Sequence, residues 1–65
     1  MDILTIDEVA DLLKLKRSTV YELTRERSQK QQNHPLPFCK IAGHLRFRKA
    51  DIETWLEQLT HKEAA

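Results

Sequence analysis

Residues 4–13 read Leu-Thr-Ile-Asp-Glu-Val-Ala-Asp-Leu-Leu, a stretch with the pattern of a short amphipathic helix. Thr5 and Glu8 have the spacing of a capping box, in which each side chain accepts a hydrogen bond from the amide of the other residue. Apolar residues then recur with a helical period, at Ile6, Val9, Ala10 and Leu13. The pattern predicts a first helix over about residues 6–14.

A second helix follows after a very short link. Val20 and Leu23 begin a new apolar stripe, which predicts a helix over about residues 17–27. Because only two or three residues join the two helices, they must cross at a steep angle, and the small Ala10 suits a close approach. The intervals of ten residues from Ala10 to Val20 and three from Val20 to Leu23 match a helix-turn-helix unit.

The turn between these helices departs from the usual chemistry at two positions. Lys14 stands where such a turn usually has Gly in a left-handed conformation. Lys16 stands at the N-cap, where lysine is a poor capping residue. Ser18 is a better cap and would start the helix two residues later, so the sequence leaves both starts open.

Towards the C-terminus the apolar period changes twice. Over about residues 39–48 it becomes two, which predicts a short hairpin with Gly43-His44 as a type II′ turn. The apolar set of the hairpin is Cys39, Ile41, Leu45 and Phe47, which we expect on the core side, with the basic residues outward. A third helix over about residues 50–60 carries Ile52, Trp55, Leu56 and Leu59 at helical spacing. The polar segment 28–37 is predicted to be a loop.

These elements predict one domain over residues 1–65, mainly α, with three helices and a two-stranded β-hairpin. The predicted core consists of Ile6, Val9, Ala10, Leu13, Leu15, Val20, Leu23, Cys39, Ile41, Leu45, Phe47, Ile52, Trp55, Leu56 and Leu59.

Size and composition exclude several classes of protein. With 65 residues and no apolar run longer than two, the chain has no candidate membrane span and little room for a catalytic pocket, so we expect no enzyme. No secretory signal is visible and Cys39 is the single cysteine, so we expect a cytoplasmic protein. The histidines lack metal-ligand spacing, and we expect no metal, cofactor or small-molecule ligand.

The charge is unevenly distributed along the chain, although the formal net charge is only +1. Residues 1–13 have a net charge of −4, residues 14–49 of +8, and residues 50–65 of −3. A basic middle between acidic ends predicts one positive face. The alternative interpretation is a solvated charged surface without a partner.

The outward face of the second helix carries hydrogen-bonding side chains at i, i+3, i+4 and i+7, namely Ser18, Tyr21, Glu22 and Arg25. Arg17 and Thr19 lie at its start. Arginine can donate two hydrogen bonds to guanine, and glutamate can accept one from cytosine. The alternative is an ordinary exposed face on which Glu22 and Arg25 pair with each other.

Residues 5–56, about four-fifths of the chain, resemble the excisionase-type, MerR-like winged helix-turn-helix domain. The matching segments are 4–13, Arg-Ser-Thr-Val-Tyr-Glu-Leu (17–23) and Arg-Phe-Arg-Lys-Ala-Asp-Ile-Glu-Thr-Trp-Leu (46–56). The resemblance implies that the second helix faces the major groove of DNA and that the hairpin is a wing on the adjacent backbone or minor groove. The candidate DNA-binding residues are Lys16, Arg17, Ser18, Thr19, Tyr21, Glu22, Arg25, Lys40, His44, Arg46 and Arg48.

Three functions are compatible with these observations. The first is an excisionase-like accessory factor that binds double-stranded DNA and biases site-specific recombination of a mobile element. The second is a small phage- or plasmid-type transcriptional regulator, and the third is a protein-interaction module without DNA binding. For the first two we expect a bacterial or phage-encoded protein, associated with the nucleoid when bound. Its protein partners would be an integrase or recombinase, or further copies of the chain on adjacent sites.

Overall fold

The computed structural model describes residues 2–64, with side chains for residues 2–60; Met1 and Ala65 of the predicted domain lie outside this range. Among the described residues there are four helices: α1 (Ile6–Leu13), α2 (Arg17–Leu23), α3 (Glu26–Gln31) and α4 (Lys49–Ala64). Three strands, β1 (Ile3–Leu4), β2 (Cys39–Ile41) and β3 (His44–Arg48), form an antiparallel sheet in the order β1-β3-β2. None of the described helices is both long and apolar enough to cross a membrane.

The capping box at the start of α1 is present as predicted. The Thr5 amide donates to Oε1 of Glu8 at 2.8 Å, and the Glu8 amide donates to Oγ1 of Thr5 at 3.2 Å. These two hydrogen bonds satisfy amide donors that a helix leaves without an internal partner. They fix the point at which the chain leaves β1 and enters α1.

The turn between α1 and α2 shows the conformation of Lys14 and the residue at which α2 begins. Lys14 has a φ of 60° and is the left-handed residue that ends α1. Lys16 is the N-cap of α2, with extended backbone and no capping hydrogen bond from its side chain. The earlier of the two possible starts is therefore observed, and Ser18 lies inside the helix rather than at its cap.

The predicted extent of the second helix was wrong at its C-terminal end. α2 ends at Leu23, where the amide and the hydroxyl of Thr24 both donate to the Tyr21 carbonyl, at 3.0 and 2.7 Å. Arg25 is extended (φ −71°, ψ 145°), and a separate helix, α3, then begins at Glu26. The predicted loop 28–37 is consequently helical as far as Gln31. α3 buries none of its residues, so the sequence has no apolar stripe that could reveal it.

The hairpin spans the predicted residues 39–48, but its turn lies one position earlier in the chain than predicted. Ile41 pairs with His44, so the two loop residues are Ala42 and Gly43. Both have positive φ, 52° and 82°, as in a type I′ turn and not in the predicted type II′. The two-residue loop therefore holds Ala42 in a left-handed conformation that is unfavourable for a residue with a Cβ atom.

The two strands of the hairpin do not share the apolar face that we predicted. A two-residue loop pairs odd-numbered with even-numbered residues, and Cys39 accordingly lies opposite Arg46. The side chains of Cys39 and Ile41 therefore share a face with the basic residues of β3, and both are exposed. Their assignment to the core was wrong, because alternation within each strand does not establish that the two apolar sets face the same way.

The buried core lies between the helices and β3 and consists of Ile6, Val9, Ala10, Val20, Leu36, Phe47, Ile52 and Trp55. Leu13, Leu23, Leu45, Leu56 and Leu59 pack against it. Leu15, predicted to be core, is 41% exposed, whereas Leu36, which was not predicted, is fully buried. The indole nitrogen of Trp55 donates to the His34 carbonyl at 2.7 Å, which holds the segment around Leu36 against α4.

Candidate nucleic-acid interface

α2 and the hairpin face each other across an open groove of about 730 Å³. Arg17 and Tyr21 of α2 and Arg25, two residues beyond its end, line one side. On the hairpin, the lining residues include Lys40, His44 and Arg46. The structure thus places six of the predicted DNA-binding residues around one groove.

The residues that line the groove carry more positive than negative charge. Its lining includes four cationic side chains, those of Arg17, Arg25, Lys40 and Arg46, and one carboxylate, that of Glu26. A concave surface with an excess of one charge attracts ligands of the opposite sign, and the phosphate backbone of a duplex is such a ligand. The groove is therefore suited to a polyanion.

Arg17 at the start of α2 reaches back to α1. Its Nε lies 3.4 Å from Oδ1 of Asp7, and both side chains are 70% exposed. An ion pair so exposed to solvent contributes little to stability. The Arg17 guanidinium can therefore exchange Asp7 for a phosphate or a base without a large loss of stability.

Arg25 has a comparable partner in Glu22. Nη1 of Arg25 lies 3.3 Å from Oε2 of Glu22, and the arginine side chain is 62% exposed. This pair is the alternative that the sequence left open for the outward face of α2. It does not exclude DNA contact, because an exposed i,i+3 pair is worth only a few tenths of a kcal/mol.

The basic side chains of the hairpin differ in exposure and in how firmly they are held. Lys40 on β2 and His44, which directly follows the turn, are exposed. Arg46 in the middle of β3 is half-buried, and its Nη1 donates to the Leu45 carbonyl at 2.6 Å. The guanidinium of Arg46 is therefore held close to the strand, whereas Lys40 and His44 can adjust to a ligand.

Five of the predicted residues lie outside the lining of this groove: Lys16, Ser18, Thr19, Glu22 and Arg48. All five are exposed. Nε of Arg48 lies 3.4 Å from Oδ2 of Asp51 in the first turn of α4, which draws this side chain towards α4. Contact with DNA stays a prediction for these five residues and for the six that line the groove.

The structure adds Thr24, Gln29 and Phe38 to the lining. Gln29 lies in the stretch Gln-Lys-Gln-Gln, whose polarity indicated a loop and gave no signal of a role. Among the described residues, no three His, Cys, Asp or Glu side chains are grouped so that they could hold a metal ion.

Comparison with known proteins identifies the family of the chain. The family model described as "Helix-turn-helix domain" matches residues 3–60, which include every strand and helix up to most of α4. Searches of curated proteins and of solved structures found no match. In such domains the second helix of the unit, here α2, enters the major groove. The fold thus supports binding to double-stranded DNA, and the chain belongs to the excisionase-type helix-turn-helix family.

Proposed function

We propose that this protein is an excisionase-like accessory factor that binds double-stranded DNA and biases the site-specific recombination of a mobile element. The observation that carries the proposal is the groove, whose lining includes Arg17 and Arg25 at α2 and Lys40 and Arg46 on the hairpin. This arrangement allows α2 to enter a major groove while the hairpin contacts the neighbouring backbone or minor groove.

The two sides of the groove have different roles in this proposal. Lys40, His44 and Arg46 of the hairpin contact phosphates and fix the position of the domain on the duplex. Arg17, Tyr21 and Arg25 contact base edges, with Arg25 leaving Glu22 to donate two hydrogen bonds to a guanine. Lys16, Ser18 and Thr19 add contacts at the start of α2, and Glu22 and Arg48 lie at the margins of the contact surface.

The small size of the domain supports an architectural role. A single small module buries roughly 600–1,000 Å² on DNA, which gives limited affinity by itself. Simultaneous contact in a major groove and on the adjacent backbone is most favourable when the duplex bends towards the protein. An accessory factor of this kind provides a recombinase with a bent DNA site. Neighbouring copies of the factor or an integrase also contact that site.

The salt dependence of binding separates DNA binding from the alternative of a protein-interaction module. If five or six phosphates are neutralised, log K should fall with log salt at a slope of about −5. Fluorescence anisotropy with a labelled duplex at several salt concentrations measures this slope. A slope near zero, or no binding to any duplex, favours the interaction module.

Recombination itself is tested in a reconstituted excision reaction that contains an integrase and its attachment sites. Adding the protein should raise the yield of the excised product and shift the duplex mobility in a circular-permutation assay, as expected for a bent site. Binding without bending and without any effect on the integrase would favour the transcriptional regulator instead.

Arg46→Ala should weaken binding to all duplexes alike and make the salt slope shallower by about one, because this residue is assigned to a phosphate. The matched control is Arg27→Ala, which removes the same charge from an exposed residue of α3 that does not line the groove. Equal slopes for Arg46→Ala and the parent protein would refute the assignment of the hairpin to the DNA backbone.

A further inference from the structure

The C-terminal end of α2 is held by side chains from outside that helix. The last carbonyls of a helix have no partner within it and need donors from elsewhere. The Leu23 carbonyl accepts from Nε2 of Gln29 at 2.7 Å and from Nε2 of Gln32 at 3.1 Å. Two glutamines from α3 and its C-cap therefore fix the end of the helix that is assigned to the major groove.

Gln29 makes a second hydrogen bond that links this helix end to the hairpin. Its Nε2 also donates to the Leu36 carbonyl at 3.0 Å, so both hydrogens of the amide are used. Leu36 is fully buried in the core and stands three residues before the start of β2. A single side-chain amide thus joins the end of α2 to the segment that leads into the hairpin.

α3 depends on these hydrogen bonds for its position, because few other contacts hold it. None of its residues is buried, so it gains little from apolar packing. Gln29 is half-buried and lines the groove together with Arg25 and Lys40. Its amide therefore lies at the groove and is bonded both to the end of α2 and to the segment that leads into the hairpin.

We propose that Gln29 is a positioning residue of the DNA interface, which fixes the end of α2 relative to the hairpin without needing to touch the DNA itself. Its effect on DNA affinity rests on the proposed function, whereas its effect on the geometry of the free protein does not. The two effects can accordingly be measured separately.

Gln29→Met tests the proposal, since methionine has a similar length and no hydrogen-bond donor. Gln31→Met is the matched control, because Gln31 is an exposed residue of the same helix. Gln29→Leu, which also lacks the amide donor and adds no charge, gives the same test if Gln29→Met does not fold. Thermal unfolding of each variant establishes that it is folded at the temperature of measurement.

The geometry is measured on the free protein with a nitroxide on Cys39, the single cysteine, which is exposed on β2. The label broadens amide NMR signals according to distance. We expect Gln29→Met to weaken the broadening at Thr24 and Arg25 while leaving it unchanged at Arg46, the strand partner of Cys39. The same broadening at Thr24 and Arg25 in Gln29→Met, Gln31→Met and the parent would overturn the proposal.

DNA binding is then measured with the unlabelled proteins on a duplex selected from random sequence by the parent. Gln29→Met should raise the dissociation constant about tenfold, as expected when one base-reading contact is lost, and Gln31→Met should not. If the parent binds no duplex, the proposed function fails, and the nitroxide measurement alone decides whether Gln29 positions α2. Unchanged affinity of Gln29→Met for a duplex that the parent binds would overturn its role at the interface.

Discussion

Leu36→Ala should lower the free energy of unfolding by about 2–5 kcal/mol, the usual cost of truncating a fully buried leucine. Leu36 has no exposed surface and belongs to the core, and it stands between two prolines in the chain, Pro35 and Pro37. A domain of 65 residues has a total stability of roughly 3–10 kcal/mol, so this loss would leave much of the protein unfolded. Urea denaturation followed by circular dichroism measures the difference.

Leu15→Ala provides the matched control because it is the same chemical change in the α1–α2 turn. Leu15 is 41% exposed, and its truncation should cost less than about 1 kcal/mol. The sequence pattern ranks these two leucines in the opposite order. A larger loss for Leu15→Ala than for Leu36→Ala would show that the observed packing of the 34–38 segment is wrong.

Arg25→Ala should cost about 1–3 kcal/mol of binding free energy on the selected duplex and clearly less on random duplexes, if Arg25 reads a base. The guanidinium lies on the α2 side of the groove and is held only by the exposed pair with Glu22. Competition experiments with both classes of duplex, at one fixed salt concentration, give the two free energies.

The control for this prediction is again Arg27→Ala, which lowers the net charge equally but lies outside the groove. It should reduce the affinity for both classes of duplex slightly and by the same factor. An equal loss for Arg25→Ala on selected and random duplexes would assign Arg25 to a phosphate and leave base reading to Arg17 and Tyr21.

The helices with an apolar stripe were predictable from sequence. The capping box at Thr5 and Glu8 and the stripe behind it place α1 within one residue of its observed end. The stripe around Trp55 places α4, whose observed bounds are Lys49–Ala64. Burial of one face is the physical cause of both helices, and the same burial produces the period that the sequence displays.

Elements held by hydrogen bonds alone left no such signal. α3 exists because the turn at Arg25 restarts the helix and because Gln29 and Gln32 tie it to Leu23. Glutamine amides have no periodic pattern, so the segment was predicted to be a loop. β1 is too short, with two residues, for a period to appear, and it is fixed by pairing with β3.

The hairpin shows a different reason for failure. Alternation of apolar and polar residues correctly identified both strands. Whether their apolar side chains lie on the same face of the hairpin depends on the turn. With Ala42 and Gly43 in the loop, Ile41 is directed to the same face as His44 and is 52% exposed. The single basic face that alternation predicted is not observed either: Lys40 lies opposite Leu45, on the other face of the hairpin from His44 and Arg46, although all three residues line the groove.

The central claim is that α2 and the hairpin form one surface for a duplex. It is tested most directly by titrating the ¹⁵N-labelled protein with the selected duplex and following amide NMR signals. The amide signals of Arg17 in α2, of Arg25 just beyond it, and of Lys40 and Arg46 in the hairpin should shift together with one dissociation constant. Shifts confined to only one of these two elements, or centred on the acidic residues of α1 and α4, would contradict the account.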